Sequence, residues 1–247
     1  MSQEIIYTSS PHGLKPGSRG FCTVVSTSGM AKNLAERLES LSGYRHAYPL
    51  HDPRASNNPI NYSHLLITVG GRLYHVLSRI CDAGLDYSRR SNKLAHHVAL
   101  EPPEIMAAVA GPAWALADES FCVTAWDGNV CHLPKGRVPK PGDRKPQRCD
   151  SWAALVGDPG WAGVLAESGL EERGRTTPII FKPGIETLPL IVEALSLLPR
   201  ERRWQVTFST YFTKLPAGVD CRWRFLLDGS TEAKLARRNP HNPVIDL

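Results

Sequence analysis

The sequence lacks closely spaced cysteines. Its six cysteines are scattered, and no two of them form a C-x-x-C pair. Several lie in apolar runs such as GFCTVV and SFCVTAW, where a free cysteine packs as a small apolar side chain in a reducing compartment. A zinc site could be assembled only from distant cysteines and histidines, which is the less favoured alternative. We therefore predict no disulfide and no metal site.

Long apolar runs and a leader peptide are also lacking. No run approaches the roughly 18 apolar residues that a membrane-spanning helix needs. The first residues, MSQEIIYTSSPHG, have neither the basic nor the apolar segment of a secretory signal peptide. We therefore expect a soluble, cytoplasmic protein that makes no membrane contact.

Two common nucleotide and hydrolase motifs, G-x-G-x-x-G and G-x-S-x-G, do not occur. The early loop HGLKPGSRGF carries Lys15, Ser18 and Arg19 between glycines. A phosphate-binding P-loop, however, needs its lysine and hydroxyl directly after the last glycine, at the start of a helix. Because this loop opens into a predicted strand, we predict no nucleotide site here and no cofactor. Lys15 and Arg19 remain candidates for binding a partner.

The composition that is present is that of a globular protein. The 247 residues are 42% hydrophobic and 21% charged, which suffices for one large domain or two small ones. The net charge of +5 permits contact with nucleic acid without requiring it. Lysine and arginine are concentrated in the segment 135–148. Nucleic-acid binding through this arm and through Arg222 and Arg224, which flank Trp223, is therefore an alternative function.

Alternating apolar residues predict an α+β fold with a mostly antiparallel sheet and packed helices. The runs HLLITV and RLYHVLSRI, joined by Gly70 and Gly71, predict a β-hairpin over 64–80. A third strand is predicted at 94–100 after a polar loop, and further strands at 206–212 and 220–227. Apolar residues at helical spacing predict helices at 30–42 and 187–198.

The basic, proline-rich segment divides the chain. We predict an N-terminal α+β lobe at 1–128, a loop or linker at 129–150, and a second α+β lobe of the same globular unit at 151–247. The sequence stops at NPHNPVIDL without an obvious helix cap. We therefore expect the chain to be the N-terminal part of a longer protein.

The stretch DYSRRSNKLAHHVAL, residues 86–100, has the densest set of polar side chains beside a predicted strand. Arginines offer paired donors to carboxylate or phosphate groups. The alternative is a solvated loop in which Asp86 neutralises one arginine. We predict a site for a ligand or partner here, together with Lys15 and Arg19 from the early loop. Its residues in this stretch are Tyr87, Arg89, Arg90, Asn92, His96 and His97.

Two adjacent histidines on a strand face opposite ways, so His96 and His97 do not form a catalytic pair or a shared metal site. His97 shares its face with two alanines, which allows a close approach to its ring. One alternative is therefore a hydrolase or nucleotide-processing enzyme with His97 as general base, Arg90 as anion binder and Asp127 as the acid. The other interpretation makes each histidine structural. The favoured interpretation assigns no catalytic residue.

Several segments together resemble the N-terminal domain of bacterial GTPase-associated proteins. They are YTSSPHGLKPGSRGFCTV, NLAERLESLSGYRH, DYSRRSNKLAHHV, GPAW, WDG and ERRWQVTFSTYFTKLPAGVDCRWRF. The resemblance covers nearly the whole chain. It implies an adaptor or sensor module that works with a GTPase and other components of an NTP-dependent conflict, or defence, system. The recurring polar motif of that family matches Arg90, Asn92, His96 and His97 here, and the resemblance assigns them no role.

Overall fold

The computed structural model describes residues 1–171, 175–239 and 244–247. In these ranges the strands are β1 (Gln3–Ser10), β2 (Gly20–Thr27), β3 (Asn61–Val69), β4 (Arg72–Leu85), β5 (Ser91–Leu100), β6 (Cys131–Leu133), β7 (Thr177–Phe181), β8 (Phe208–Ser209), β9 (Trp223–Leu227) and β10 (Ile245–Asp246). The helices are α1 (Lys32–Ser40), α2 (Pro102–Ile105), α3 (Pro112–Ala117), α4 (Asp150–Val156), α5 (Gly160–Leu170), α6 (Leu188–Ser196), α7 (Arg200–Arg203) and α8 (Thr231–Arg238). None of these helices has the length and apolar character needed to cross a membrane.

The strands of the described ranges form a single mixed sheet, in the order β10-β7-β9-β8-β3-β4-β5-β1-β2-β6. Neighbours from β8 through β3, β4, β5 and β1 to β2 are antiparallel. The pairs β8–β9, β9–β7, β7–β10 and β2–β6 are parallel. The predicted α+β class is confirmed, and the sheet is mostly antiparallel with several parallel pairs.

The predicted hairpin is present and longer than its apolar pattern indicates. Gly70 and Gly71 have φ angles of 58° and 77°, which suits the left-handed turn that a two-residue hairpin loop requires. The ladder continues past the apolar residues, since Asp82 pairs with Lys93 and Leu85 with Ser91. The prediction of a long polar loop before the third strand was therefore wrong. Only residues 86–90 form the turn between β4 and β5.

The two predicted C-terminal strands are shorter than expected and run parallel to each other. β8 covers two residues and β9 five, and Phe208 lies opposite Trp223. Parallel neighbours need a long crossover connection, and residues 210–222 provide it. These two strands therefore form one of the parallel pairs of a sheet that is otherwise mostly antiparallel.

β1 has a central position that its sequence did not indicate. Only residues 5–7 read as a short apolar run, yet Gln3–Ser10 pairs with β5 on one side and β2 on the other. Ile5 lies opposite His97 and Ile6 lies opposite His96. This strand therefore covers the edge of β5 that a three-stranded meander would leave open.

The basic segment after residue 128 lies against the start of β1. Ser2 donates its hydroxyl hydrogen to the carbonyl of Gly136 at 2.7 Å, and the N–H of Arg137 donates to Glu4 at 2.9 Å. β6 adds a parallel pairing with β2. One sheet takes strands from both sides of this segment. The division of the chain into two lobes at this segment stays a prediction.

Helices cover both faces of the sheet. On one face Leu34 and Leu38 of α1 pack with Ile5, Val76 and Ala99. On the other face α3 to α6 build the larger core, which contains the fully buried Trp152 and Trp223. Burying both faces explains why so many strand residues are inaccessible, including polar ones.

Candidate functional site

His96 lies fully buried on the face of β5 that looks toward residue 123. Its Nδ1 accepts a hydrogen bond from the backbone N–H of Val123 at 3.2 Å, so the ring proton lies on Nε2. Nε2 donates to Oε1 of Glu4 at 2.9 Å. Burial lowers the pKa of His96, and the Glu4 carboxylate only partly offsets this effect. The imidazole is thus a neutral, satisfied group inside the protein.

Glu4 is the buried carboxylate that accompanies this histidine. Burial alone would raise its pKa, but the hydrogen bond from His96 and the charge of Arg137 lower it below the usual value. Arg137 Nε lies 3.3 Å from Oε1 of Glu4. Glu4, His96 and Arg137 therefore form one connected network, from which only Arg137 reaches the surface.

His97 points to the opposite face, as strand alternation requires, and is also fully buried. Its Nδ1 lies 2.7 Å from the hydroxyl of Ser78, and its Nε2 lies 2.9 Å from the hydroxyl of Ser42. The group that approaches over the small neighbouring residues is therefore Ser42, just after α1. Burial lowers the pKa of His97 to about 3.

The three residues of the enzymatic alternative, His97, Arg90 and Asp127, do not line a common cavity in the described part of the protein. Arg90 and Asp127 are exposed, and the Asp127 carboxylate accepts hydrogen bonds from its neighbour Asn129. A cavity of about 610 Å³ lies beside Arg222, and another of about 670 Å³ lies beside Trp114. None of the trio lines either cavity. A general base needs access to its substrate, and no such access to His97 is visible in the described part of the protein.

The turn between β4 and β5 is held by Asp86. Its carboxylate accepts from the N–H and hydroxyl of Ser88, from the N–H of Arg90, and from the hydroxyl of Ser9. The bond from the backbone of Arg90, with those from Ser9 and Ser88, lowers the pKa of Asp86 to about 2. Among the described contacts, Asp86 forms no ion pair with Arg89 or Arg90. It stabilises the turn, and the guanidinium groups stay available.

Arg89 adopts a left-handed backbone conformation, with a φ angle of 64°. Its N–H donates to the carbonyl of Asp86 at 3.0 Å, and the N–H of Asp86 donates to the carbonyl of Arg90 at 2.8 Å. This is the geometry of a turn whose left-handed position normally takes glycine. Tyr87, Arg89 and Arg90 are all exposed on it.

Asn92 has a structural role beside this turn. Only 8% of it is exposed, and its Oδ1 accepts from the hydroxyl of Thr8 and from the N–H groups of Ser9 and Lys93. It connects β5 to the end of β1. The polar stretch therefore divides into an inner set, Asn92 with the two histidines, and an outer set on the turn.

The early loop lies at the same end of the sheet as the turn. Lys93 extends over the rings of Phe21 and Tyr7, 5.0 and 5.8 Å from their centres. Lys15 forms an ion pair with Glu39 at 3.7 Å, and Arg19 is exposed. Burial lowers the pKa of Lys93, and no carboxylate among the described residues lies within ion-pair distance of its ammonium group.

The early loop, the turn and the start of β5 lie at one end of the sheet, and we call the exposed and basic residues there the basic end. It comprises Lys15, Arg19, Tyr87, Arg89, Arg90 and Lys93. The position of Lys93 over two aromatic rings was not predicted, because it depends on the pairing of β1 and β2 beside β5. The sequence signal that pointed to this end was the density of donors in residues 86–93.

The basic arm of the nucleic-acid alternative is largely engaged with the rest of the chain. Lys140 pairs with Asp118 at 2.7 Å, and Arg148 pairs with Asp150 at 3.1 Å. On β9 and just before it, Arg224 lies over the ring of Phe212, and Arg222 donates to backbone carbonyls near residue 170. Arg222 and Arg224 are thus half-buried and engaged with other parts of the chain, and nucleic-acid binding gains no support from these contacts.

No group of three or more potential metal ligands (His, Cys, Asp or Glu) occurs within the described ranges.

The fold and this surface describe an α+β module built on one mixed sheet. Residues 1–137 match the family model for the N-terminal domain, type 2, of GTPase-associated protein 1. Residues 149–247 match the model for the middle domain of the same protein. The chain therefore belongs to the GTPase-associated protein 1 family, which confirms the resemblance seen in its sequence. Comparison with curated proteins and with solved structures gives no match.

Proposed function

We propose that the chain is a non-catalytic adaptor or sensor module that binds a GTPase through the basic end, within a bacterial NTP-dependent conflict system. Membership of a GTPase-associated family supports the partner. The conflict-system setting follows from the resemblance alone. The other components of the system would be contacted by surfaces outside this site.

Arg89 is the observation that carries the proposal. A residue with a side chain in the left-handed region costs about 1 kcal/mol or more relative to glycine. The turn is otherwise well stabilised by Asp86, and Arg89 forms no ion pair among the described residues to offset that cost. Strained, exposed residues on a rigid turn are typical of recognition sites.

The charge of the basic end defines the chemistry of its partner. Arg89 and Arg90 can each donate two parallel hydrogen bonds to a carboxylate. Tyr87, which is 52% exposed, adds a flat apolar surface beside them. The complementary surface is therefore an acidic patch on the GTPase, with aspartate or glutamate facing the two arginines.

The test is the affinity of the chain for a GTPase of the same conflict system, measured by calorimetry for the wild type and for variants. Arg89→Gly removes the guanidinium and also relieves the backbone, so this variant folds at least as well as the wild type. We expect Arg89→Gly and Arg90→Ala each to lower affinity about tenfold, as buried interface arginines do. The affinity of the wild type should fall as salt is raised.

Arg72→Ala is the matched control, because Arg72 is an exposed arginine at the opposite end of β4. It should bind like the wild type. Wild-type affinity of both Arg89→Gly and Arg90→Ala, with the fold intact, would contradict the proposal and place the GTPase contact elsewhere.

A further inference from the structure

A cavity of about 670 Å³ opens between segments that belong to the two family-matched parts of the chain. Ile60, Tyr62 and Trp114 come from the first part, and Phe181, Glu186 and Glu193 come from the second. Its volume falls within the range of small-molecule sites. No single stretch of sequence contains enough of its wall to reveal it.

The charged groups of the cavity wall are mainly acidic. Three glutamates, Glu119, Glu186 and Glu193, line it together with one arginine, Arg144. This is opposite to the net charge of +5 of the whole chain. Glu119 and Glu186 are exposed and have no ion-pair partner in the described ranges. Glu193 is nearly buried and accepts hydrogen bonds from Ser151 and Trp152 without a cation.

Arg144 is weakly held at this place. Its guanidinium carbon lies 4.7 Å from the centre of the Trp114 ring, and its Nε is buried without a hydrogen-bond partner. It forms no ion pair with any described residue. A guanidinium that makes a cation–π contact but no hydrogen bond or ion pair with the described residues can be displaced at little cost, because no such bond is broken.

We propose that this cavity binds a small organic cation, an amidine, guanidine or amine carried on a flat apolar body. The apolar body would pack against Tyr62, Phe181 and Trp114, and the cation would replace Arg144 over the Trp114 ring, near the glutamates. This site is separate from the basic end and does not depend on a GTPase. Because its walls come from both matched parts, the bound cation also links them.

The test uses benzamidine as probe, with benzamide as its neutral analogue and benzoate as its anionic analogue. Binding is followed by titration with two-dimensional NMR of the labelled full chain. We expect benzamidine to bind at least about tenfold more tightly than either analogue, since only the cation gains from the glutamates and the ring. The shifted resonances should belong to residues that line the cavity.

Variants separate the proposed contacts. Glu119→Gln combined with Glu186→Gln should weaken benzamidine binding about fivefold, and Trp114→Ala should weaken it by a similar factor. Arg144→Ala should strengthen it about threefold, because the displaced guanidinium and its like charge are gone. All four residues are at least partly exposed, so the fold should be retained, and thermal unfolding checks this.

Two controls lie on α5, outside the cavity. Trp161 is 39% exposed, close to the 42% of Trp114, and Glu167 is an exposed glutamate. Trp161→Ala and Glu167→Gln should leave benzamidine binding unchanged. Equal binding of benzamidine and benzamide would overturn the proposal. A preference for benzoate that Arg144→Ala abolishes would also overturn it, since Arg144 would then be an anion anchor.

Discussion

Acidification should destabilise this protein well above the pH at which its carboxylates titrate. Burial, together with the nearby His75, lowers the pKa of His64 to about 3. Burial lowers the pKa of His75 to about 4 and, with nearby charges, that of His97 to about 3. His64 and His75 stack with their nitrogens 3.1 Å apart, and His64 Nδ1 donates to the carbonyl of Val206 at 2.8 Å. The hydrogen bond between the two rings requires at least one of them to be neutral, and burial disfavours the charged form of both.

The direction and size of the effect follow from proton linkage. Between these folded values and the ordinary pKa of about 6.5, the unfolded chain binds protons that the folded chain excludes. The stabilisation that each buried, neutral histidine provides is therefore complete above about pH 6.5 and is lost as the pH falls. From pH 7.5 to 5 each histidine costs about 2 kcal/mol, which makes about 6 kcal/mol for the three. That is comparable to the whole stability of many domains.

The assay is urea unfolding followed by tryptophan fluorescence at several pH values between 7.5 and 5. Between pH 5 and 6 the free energy of unfolding should change by about 4 kcal/mol per pH unit, or about 1.4 for each buried histidine. His75→Gln should reduce this slope by about one third. His132→Gln, which alters an exposed histidine of β6, should not change it. A slope below about 1.4 kcal/mol per pH unit in the wild type would refute the reasoning.

Other substitutions test the turn and the core. Arg89→Gly should raise the free energy of unfolding by about 0.5–1 kcal/mol, because glycine suits the left-handed position better than arginine does. Arg90→Gly, at a position without a positive φ angle, should lower it by a similar amount. Leu38→Ala should destabilise by about 2–5 kcal/mol, since Leu38 is fully buried on the inner face of α1. Leu235→Ala, at a residue that is 60% exposed, should change stability by less than about 0.5 kcal/mol. Thermal and urea unfolding measure the free energy of unfolding of all four variants. Equal changes for Arg89→Gly and Arg90→Gly would contradict the turn geometry, and equal changes for Leu38→Ala and Leu235→Ala would contradict the burial of Leu38.

The hairpin and the opposed histidines could be predicted because they depend on local rules. Two glycines between alternating apolar runs specify a tight turn, and a two-residue period places His96 and His97 on opposite faces. The depth of their burial could not be predicted in the same way. His96 is covered by a residue ninety-two positions earlier, Glu4, and His97 by Ser42, which follows a different element.

The sequence by itself determined the α+β class, the hairpin and third strand, and membership of the GTPase-associated family. The tertiary structure alone decided that β1 pairs beside β5, that β8 and β9 run parallel, and that a cavity joins the two matched parts. It also separated the polar stretch into buried Asn92, His96 and His97 and exposed Tyr87, Arg89 and Arg90. Local periodicity reflects which side of a strand is apolar. Which groups become buried depends on the distant segments that pack against that strand.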